Sequence, residues 1–274
     1  MKDPTFRLFH YLCSMETKAV FFDVDGTLLS FETHSVPASA LQALEALHRK
    51  GIKIIIATGR AAADLREINH LPYDAIVALN GAECVPRNGT PIARKPIALD
   101  DFLKLKSLAQ AYDFPLAIET NNGLFIDKVT PTVIELVQMV EHPIPPVVDI
   151  ETLFRKESCC QLCIYCNASV EQDVMAQLPG LTASRWHPLF ADVNVSGVDK
   201  AAGISAYCHH YGFETSQTVA FGDGGNDVAM LQAAGIGVAM GNASDYVKHA
   251  ADYVTDSVEK DGIQNALLHL GILP

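Results

Sequence analysis

Short apolar runs alternate with stretches of helical periodicity over the first third of the chain. Residues 18–22 are apolar almost throughout and end at Asp23, as expected of a strand that is covered on both faces. Leucines recur at helical spacing over 41–47, and two further apolar runs follow at 52–57 and 75–79, with another helix predicted between them. This β-α-β-α-β order predicts a parallel sheet with right-handed crossovers.

The pattern changes between about residues 82 and 186. Short strand-like runs there are separated by Asn88-Gly89 and Asn122-Gly123, which are typical of hairpin turns. Helical stretches intervene near 99–112 and 132–142. This mixture of hairpins and helices predicts an antiparallel sheet with helices on one face, inserted as a separate domain.

Alternating strands and helices resume after residue 196. We therefore predict an α/β fold with a Rossmann-like, doubly wound parallel sheet as its core, formed by 16–81 and 187–274, and an inserted α/β cap domain at 82–186. Residues 1–15 are expected to form a disordered leader. Because two short connections would join the cap to the core, Gly81 is expected to act as a hinge.

Composition and charge narrow the classes of partner. The chain has 274 residues with 20 basic and 32 acidic side chains, a net charge of −12, so it is not expected to bind nucleic acid. No apolar run approaches the roughly 20 residues that span a bilayer, and no membrane association is expected. A small molecule is the expected partner, and the sequence gives no indication of the oligomeric state.

The cysteines carry information about the compartment. There are seven, an odd number, which indicates a reducing compartment, and we expect a cytoplasmic protein. Four of them lie within residues 159–166. A metal cluster is one interpretation of this segment, and a buried strand that carries small apolar thiols is the other. We favour the strand, because no second pair of cysteines or histidines has the spacing of a zinc site.

Polar side chains gather where the predicted parallel strands end. Asp23 and Asp25 follow the first strand, and Asp223 and Asp227 follow the strand predicted at 218–221. Ligands bind at the carboxyl ends of the strands in such a sheet, and four carboxylates there would repel each other without a cation. Oxygen ligands with no histidine or thiolate favour Mg²⁺.

Four short segments together resemble the motifs of the haloacid dehalogenase (HAD) superfamily, in order along the chain. They are Asp23-Val24-Asp25-Gly26-Thr27-Leu28, Thr58-Gly59-Arg60, Lys200, and Gly222-Asp223-Gly224-Gly225-Asn226-Asp227. The insert resembles the large α/β cap of the Cof-type phosphatases of that superfamily, and segment 185–193 is most similar to bacterial hexose-phosphate phosphatases. The resemblance covers almost everything after Met15.

The resemblance implies a Mg²⁺-dependent phosphatase of small phosphorylated metabolites such as hexose phosphates, working through an aspartyl phosphate. Asp23 would be the nucleophile, and Asp25 would protonate the leaving group and then activate water. The residues implied as holding the phosphoryl oxygens are Thr58, Gly59 and Lys200. The residues implied as metal ligands are Asp23, Asp25 through its backbone carbonyl, Asp223, and Asp227 directly or through water.

Substrate choice is expected to come from the cap and its connections to the core. The further substrate-binding candidates are Asn80, Arg185 and Asn226, with Glu119, Asn121 and Asn122 beside them. Asn226 has a second interpretation as a helix cap.

Other functions on the same motifs stay open at this point. One is a phosphomutase, and another is a phosphatase of a non-sugar phosphate such as a phosphorylated cofactor. A dehalogenase would not need Asp25, which counts against it. The intact set of aspartates with Lys200 counts against a non-catalytic binding module.

Overall fold

A sheet of eight strands dominates the computed structural model, which describes residues 16–120, 122–139 and 142–274. With strands numbered along the chain, its members are β1 (Ala19–Phe22), β2 (Lys53–Ala57), β3 (Ala75–Ala78), β4 (Glu83–Pro86), β5 (Ala93–Arg94), β11 (Thr218–Gly222), β12 (Ile236–Ala239) and β13 (Tyr253–Val254). They lie in the order 13-12-11-1-2-3-4-5. Neighbours are parallel except that β4 runs antiparallel to both β3 and β5. The expected leader at 1–15 lies outside the described residues.

Helices cover both faces of this sheet, because side chains alternate between the faces along each strand. The α-helices of the described residues are α1 (Ala38–Arg49), α2 (Leu99–Ala111), α3 (Pro131–Met139), α4 (Ile150–Lys156), α5 (Ala168–Met175), α6 (Lys200–Tyr211), α7 (Val228–Ala233), α8 (Asp245–Ala250) and α9 (Gly262–His269). Helices α1 and α9 pack on the face that carries Val20 and Phe22. Helices α6, α7 and α8 pack on the face that carries Ala19 and Phe21. The predicted doubly wound core is confirmed.

A second sheet, of five strands, forms the inserted cap. Its strands are β6 (Leu116–Thr120), β7 (Gly123–Ile126), β8 (Gln161–Ile164), β9 (Leu181–His187) and β10 (Phe190–Val195). They lie in the order 7-6-8-10-9 and are antiparallel throughout. Helices α2, α4 and α5 pack on one face, and α3 covers part of the other. The antiparallel cap is confirmed, with helices on both faces rather than one.

The strand pairing places both boundaries of the inserted domain at positions that differ from the predicted 82–186. The sequence pattern assigned the hairpin of β4 and β5 to the cap, but the hairpin extends the larger sheet beside β3. Antiparallel strands are common at the edge of such sheets. At the other end, β10 pairs with β8 and β9. Residues 188–189 are therefore a hairpin turn inside the cap, and the chain crosses between the sheets at 95–98 and at 196–199.

Two local expectations are corrected by the structure. Between β2 and β3 the described chain forms only a 3₁₀ helix, Arg66–Ile68, because the buried side chains of Leu65, Ile68 and Leu71 are spaced by three, which suits a 3₁₀ turn. Gly81 has a φ of +97°, and a Cβ atom there would lie 1.9 Å from the carbonyl oxygen of Asp199. Gly81 is therefore packed tightly against the backbone of Asp199 and is not a free hinge.

The helices also bear on membrane association. Among the residues that the structure describes, no helix combines the length and the apolar character that a membrane crossing requires.

Candidate active site

Three aspartates meet at the carboxyl edge of the larger sheet. Asp23 directly follows β1 and Asp223 directly follows β11, and these strands are parallel neighbours in register. Asp227 ends the 3₁₀ helix Gly225–Asp227. One carboxylate oxygen from each of the three lies within 4.8 Å of the other two, so three of the four carboxylates predicted at this edge converge there and the fourth, Asp25, is not part of the group.

A fully buried lysine neutralises part of this charge. Lys200 opens α6, and its Nζ atom lies 2.6 Å from Asp23 Oδ1 and 2.6 Å from Asp227 Oδ1. Burial by itself would lower the pKa of Lys200, but Asp227 and Asp23 outweigh it and raise the pKa above its ordinary value. The ammonium group is therefore held in its charged form between the two aspartates.

Hydrogen bonds from nearby loops hold the second oxygen of Asp227 and both oxygens of Asp223. Asp227 Oδ2 accepts hydrogen bonds from the backbone N–H groups of Asp223, at 3.0 Å, and Gly224, at 2.8 Å. Asp223 accepts at Oδ1 from the Thr27 hydroxyl, at 3.3 Å, and at Oδ2 from Asn242 Nδ2, at 3.1 Å. Burial, and after it the charge of Asp227, raises the pKa of Asp223 to about 7.

Asn242 is a residue of this cluster that sequence analysis missed. Its Nδ2 also donates to the carbonyl oxygen of Gly26 at 2.8 Å. Gly26 has a φ of +82°, and a Cβ atom there would lie 2.2 Å from Asp223 Oδ2, so the turn needs glycine. Asn242 follows β12, and a polar residue just beyond a further parallel strand is the signal by which it could have been found.

Asp25 makes a separate ion pair with Arg60. Arg60 Nε donates to Asp25 Oδ2 at 2.9 Å, and Nη2 donates to Asp25 Oδ1. The third guanidinium nitrogen lies 3.5 Å from Glu67 Oε2. The backbone N–H of Arg60 donates to the Thr58 hydroxyl at 3.1 Å. The segments that follow β1 and β2 are therefore joined through their side chains.

The donor set of the aspartate cluster fits a hard divalent cation. Asp23, Asp223 and Asp227 offer carboxylate oxygens only, and within the described residues no histidine or cysteine belongs to the group. Such oxygen donors suit Mg²⁺. Three carboxylates share one ammonium group there, so the cluster is short of positive charge, and a divalent cation would supply it.

Known proteins are similar to this chain in sequence and in fold. The family model of the haloacid dehalogenase-like hydrolases matches residues 20–267. The chain belongs to this family. The structure of the HAD phosphatase BT1666 from Bacteroides thetaiotaomicron matches with a TM-score of 0.91 and 55% identity, over 94% of this chain and 96% of that one.

Two further proteins are similar over nearly their whole length. The HAD subclass IIB sugar phosphatase BT4131 matches with a TM-score of 0.86 and 36% identity, over 94% of this chain and 100% of that one. The 5-amino-6-(5-phospho-D-ribitylamino)uracil phosphatase YcsE of Bacillus subtilis (strain 168) is 28% identical over 265 residues, which are 93% of this chain and 96% of the relative. The chain is a phosphatase of the HAD superfamily.

In this HAD phosphatase the segment after β2 lies against Asn80. The Asn80 N–H donates to the Thr58 carbonyl oxygen at 3.0 Å, and a Cβ atom on Gly59 would lie 3.2 Å from Asn80 Oδ1. Asn226 Nδ2 donates to the same Asn80 oxygen at 3.0 Å. Asn226 lies inside the 3₁₀ helix and not at its N-cap, which is Gly224. The structure thus brings Thr58, Gly59, Asn80 and Asn226 together, and their contact with substrate stays a prediction.

The cap closes over this segment with a polar face. Asn80 Nδ2 donates to Gln161 Oε1, at 3.2 Å, and to Asp192 Oδ2, at 3.1 Å. Gln161 Nε2 in turn donates to the Gly59 carbonyl oxygen, at 3.0 Å, and to Glu119 Oε2, at 2.8 Å. Side chains of β6, β8 and β10 in the cap therefore contact the core beside Thr58 and Gly59, the segment predicted to bind the phosphoryl group.

This polar face contains two carboxyl groups with raised pKa values: Asp192 is buried and Glu119 is half-buried. Burial raises the pKa of Glu119 to about 7 and that of Asp192 to about 8, and Glu119 adds to the effect on Asp192. Sequence analysis missed Gln161 and Asp192. The signal for Asp192 is the alternation along β10, where Ala191 and Val193 pack in the cap core and Asp192 between them points to the other face.

The structure does not bring Arg185 into the site. Its guanidinium pairs with Glu171 inside the cap and donates to the carbonyl oxygens of Cys166, His187 and Pro188, each at 2.9 Å. Every nitrogen of that guanidinium already has a partner in the cap, so the side chain is committed to local structure.

The other candidates in the cap differ in their placement. Glu119 accepts a hydrogen bond from the backbone N–H of Ala61 in the core at 3.2 Å, so it lies at the boundary between the cap and the core. Asn122 is exposed and donates to Glu157 at 3.1 Å. Asn121 lies outside the described residues.

Proposed function

We propose that this phosphatase is Mg²⁺-dependent and hydrolyses small phosphorylated metabolites, with hexose phosphates as the first substrate class, through an aspartyl phosphate on Asp23. One observation carries the proposal: the buried Asp23 carboxylate lies 2.6 Å from the Lys200 ammonium group, at the strand edge it shares with Asp223. The name of BT4131, a sugar phosphatase that is 36% identical to this chain, supports the substrate class.

The proposed cation site has three protein ligands. The carboxylates of Asp23 and Asp223 and the backbone carbonyl of Asp25 are the proposed ligands. Asp227 supports them, since its oxygens already accept hydrogen bonds from Lys200 and the loop. When bound, the cation neutralises the charge that would otherwise keep a carboxylate nucleophile from a phosphate group.

The first half-reaction transfers the phosphoryl group to the enzyme. An oxygen of Asp23 attacks phosphorus, and the bond from phosphorus to the leaving oxygen of the substrate breaks. Asp25 gives its proton to that oxygen, so the product departs as an alcohol. The Lys200 ammonium, the Thr58 hydroxyl and the Gly59 N–H would hold the phosphoryl oxygens through the transfer.

The second half-reaction regenerates the enzyme. Water attacks the phosphorus of the aspartyl phosphate while Asp25 takes a proton from that water. The bond from phosphorus to Asp23 breaks, inorganic phosphate leaves, and Asp25 is protonated again. Both displacements are in line with the Asp23 oxygen, so the leaving oxygen and the attacking water occupy the same side of the phosphorus, and one Asp25 side chain can serve both.

A screen of phosphorylated metabolites tests the proposed function. Phosphate release is measured with Mg²⁺ over a panel that contains hexose phosphates, other sugar phosphates and phosphorylated cofactors, and kcat/KM is compared. We expect turnover to stop with EDTA, to return with Mg²⁺, and to be highest for hexose phosphates. Turnover that is unaffected by EDTA would contradict the metal, and a maximum outside the sugars would contradict the substrate class.

A second candidate substrate class is favoured by one observation. YcsE acts, by its name, on a phosphorylated ribitylamino-uracil, and it is 28% identical over almost the whole chain. A phosphorylated intermediate with a heterocyclic ring is therefore the first non-sugar compound to include in the panel.

Location in a reducing compartment, the cytoplasm, is part of the proposal. The support is that all six cysteines in the described part of the chain are buried and free.

A further inference from the structure

Arg60 is bound to Asp25 in a way that an ordinary surface ion pair is not. Two guanidinium nitrogens donate to the two carboxylate oxygens, with Nε 2.9 Å from Oδ2. Such a bidentate pair fixes the plane of the carboxylate as well as its distance. The side chains are only 29% and 39% exposed, so solvent competes with this pair less than with most surface pairs.

The backbone and the third nitrogen of Arg60 are also fixed. Its N–H donates to the Thr58 hydroxyl at 3.1 Å, and its Nη1 lies 3.5 Å from Glu67 Oε2. The backbone of Arg60 is thus tied to Thr58, its guanidinium lies between Glu67 and Asp25, and only Asp25 receives two hydrogen bonds from it.

We propose that Arg60 is the positioning residue of Asp25, a role that rests on the proposed function. Asp25 has to reach the leaving oxygen in one half-reaction and the attacking water in the other. A carboxylate that rotates freely would meet either atom only part of the time, and a displacement of about 1 Å is enough to cost about 100-fold in rate. Arg60 limits that freedom: both hydrogen bonds hold the carboxylate that takes a proton from water, and one of them can remain when the other oxygen carries the proton for the leaving group.

The two half-reactions can be measured separately with a substrate whose leaving group needs no proton. p-Nitrophenolate departs without protonation, so transfer from p-nitrophenyl phosphate to Asp23 does not depend on where Asp25 lies. Hydrolysis of the aspartyl phosphate still depends on the position of Asp25, because Asp25 has to take a proton from the attacking water. Loss of Arg60 should therefore slow only the second step with p-nitrophenyl phosphate, whereas both steps should slow with a hexose phosphate.

The experiment compares Arg60→Ala with the wild-type enzyme by acid quench with ³²P-labelled substrates. With p-nitrophenyl phosphate, we expect kcat and KM to fall together by about 10- to 100-fold, with a larger fraction of enzyme trapped as phosphoenzyme and a burst of p-nitrophenolate. With a hexose phosphate, kcat should fall without that accumulation. Arg60→Lys cannot hold both carboxylate oxygens at once, so its kcat values should lie between those of Arg60→Ala and the wild-type enzyme.

Controls separate the positioning role from a structural one. Glu67→Gln removes the outer partner of Arg60 and should leave the kinetics near those of the wild type. Millimolar guanidinium should partly restore Arg60→Ala. If the Arg60 variants fold and show the wild-type phosphoenzyme fraction with both substrates, the positioning role is overturned. If the wild-type enzyme itself forms no phosphoenzyme on Asp23, the proposed function fails instead.

Discussion

The Nζ atom of Lys200 lies 2.6 Å from Oδ1 of Asp23, and neither side chain has meaningful contact with solvent. The two residues are 177 positions apart in the chain, yet each stands at the end of a core element. The lysine therefore orients the proposed nucleophile directly, and it also bridges to Asp227 at the same distance of 2.6 Å.

Asp23→Asn should abolish turnover while the fold is kept. The amide has nearly the shape of the carboxylate, and its oxygen can still accept a hydrogen bond from Lys200, but it cannot form the acyl phosphate. We expect phosphate release to fall to background for every substrate, with circular dichroism unchanged. Residual turnover above background by the purified variant would exclude Asp23 as the nucleophile.

Lys200→Met should damage activity on all substrates by a similar factor, because the ammonium acts on the phosphoryl group that they share. It should also destabilise the fold by about 3 kcal/mol, since it leaves buried carboxylates without their partner. Both effects are measured together, as kcat/KM over the substrate panel and as urea unfolding. Lys104→Met, at an exposed lysine of α2, is the control and should change neither quantity.

The core of this site could be predicted from the sequence because its residues follow strand ends. Asp23 and Asp223 directly follow β1 and β11, and a parallel sheet brings all such ends to one edge. Lys200 could be identified only through the resemblance, since nothing in its spacing shows that α6 points it at Asp23.

Contacts between the cap and the core could not be predicted. Asn80 and Asp192 are 112 positions apart, and their contact depends on how one sheet sits against the other. The same limit applies to Arg185, which the sequence analysis predicted to bind substrate. Its role depends on the position of Glu171, which the periodicity of the sequence does not give.

Arg185→Ala should act through the stability of the cap and not through substrate choice. It removes an ion pair with Glu171 and three hydrogen bonds to carbonyl oxygens. We expect a loss of about 2 kcal/mol in the free energy of unfolding, with kcat/KM changed by one common factor across the sugar phosphates.

Substrate-dependent effects of Arg185→Ala would contradict this placement and return Arg185 to the substrate-binding residues. Glu171→Gln is the matched variant, since it weakens the same ion pair from the other side. It should reproduce the loss of stability in part and leave the ranking of substrates unchanged.

Burial of Asp192 should make the protein less stable as the pH rises. Burial, with the charge of Glu119 beside it, raises the pKa of Asp192 from an ordinary 3.8 to about 8. Between these two values the folded state binds more protons than the unfolded state, so the free energy of unfolding decreases with pH, by at most about 1.4 kcal/mol per pH unit for one group.

Urea unfolding at pH 6 and pH 8 measures this effect, and Asp192→Asn should remove much of it. An asparagine carries no charge at either pH, and its oxygen can still accept the hydrogen bond from Asn80. Glu119 and Asp223, whose pKa values burial raises to about 7, would account for a remaining decrease of the same sign. Lys200, Cys163 and Tyr165, which also interact with Asp192, stay in one form over this range. Asp173→Asn, at an exposed aspartate of the same cap, is the control and should keep the wild-type slope. An Asp192→Asn variant with that same slope would show that Asp192 is already ionised at pH 6.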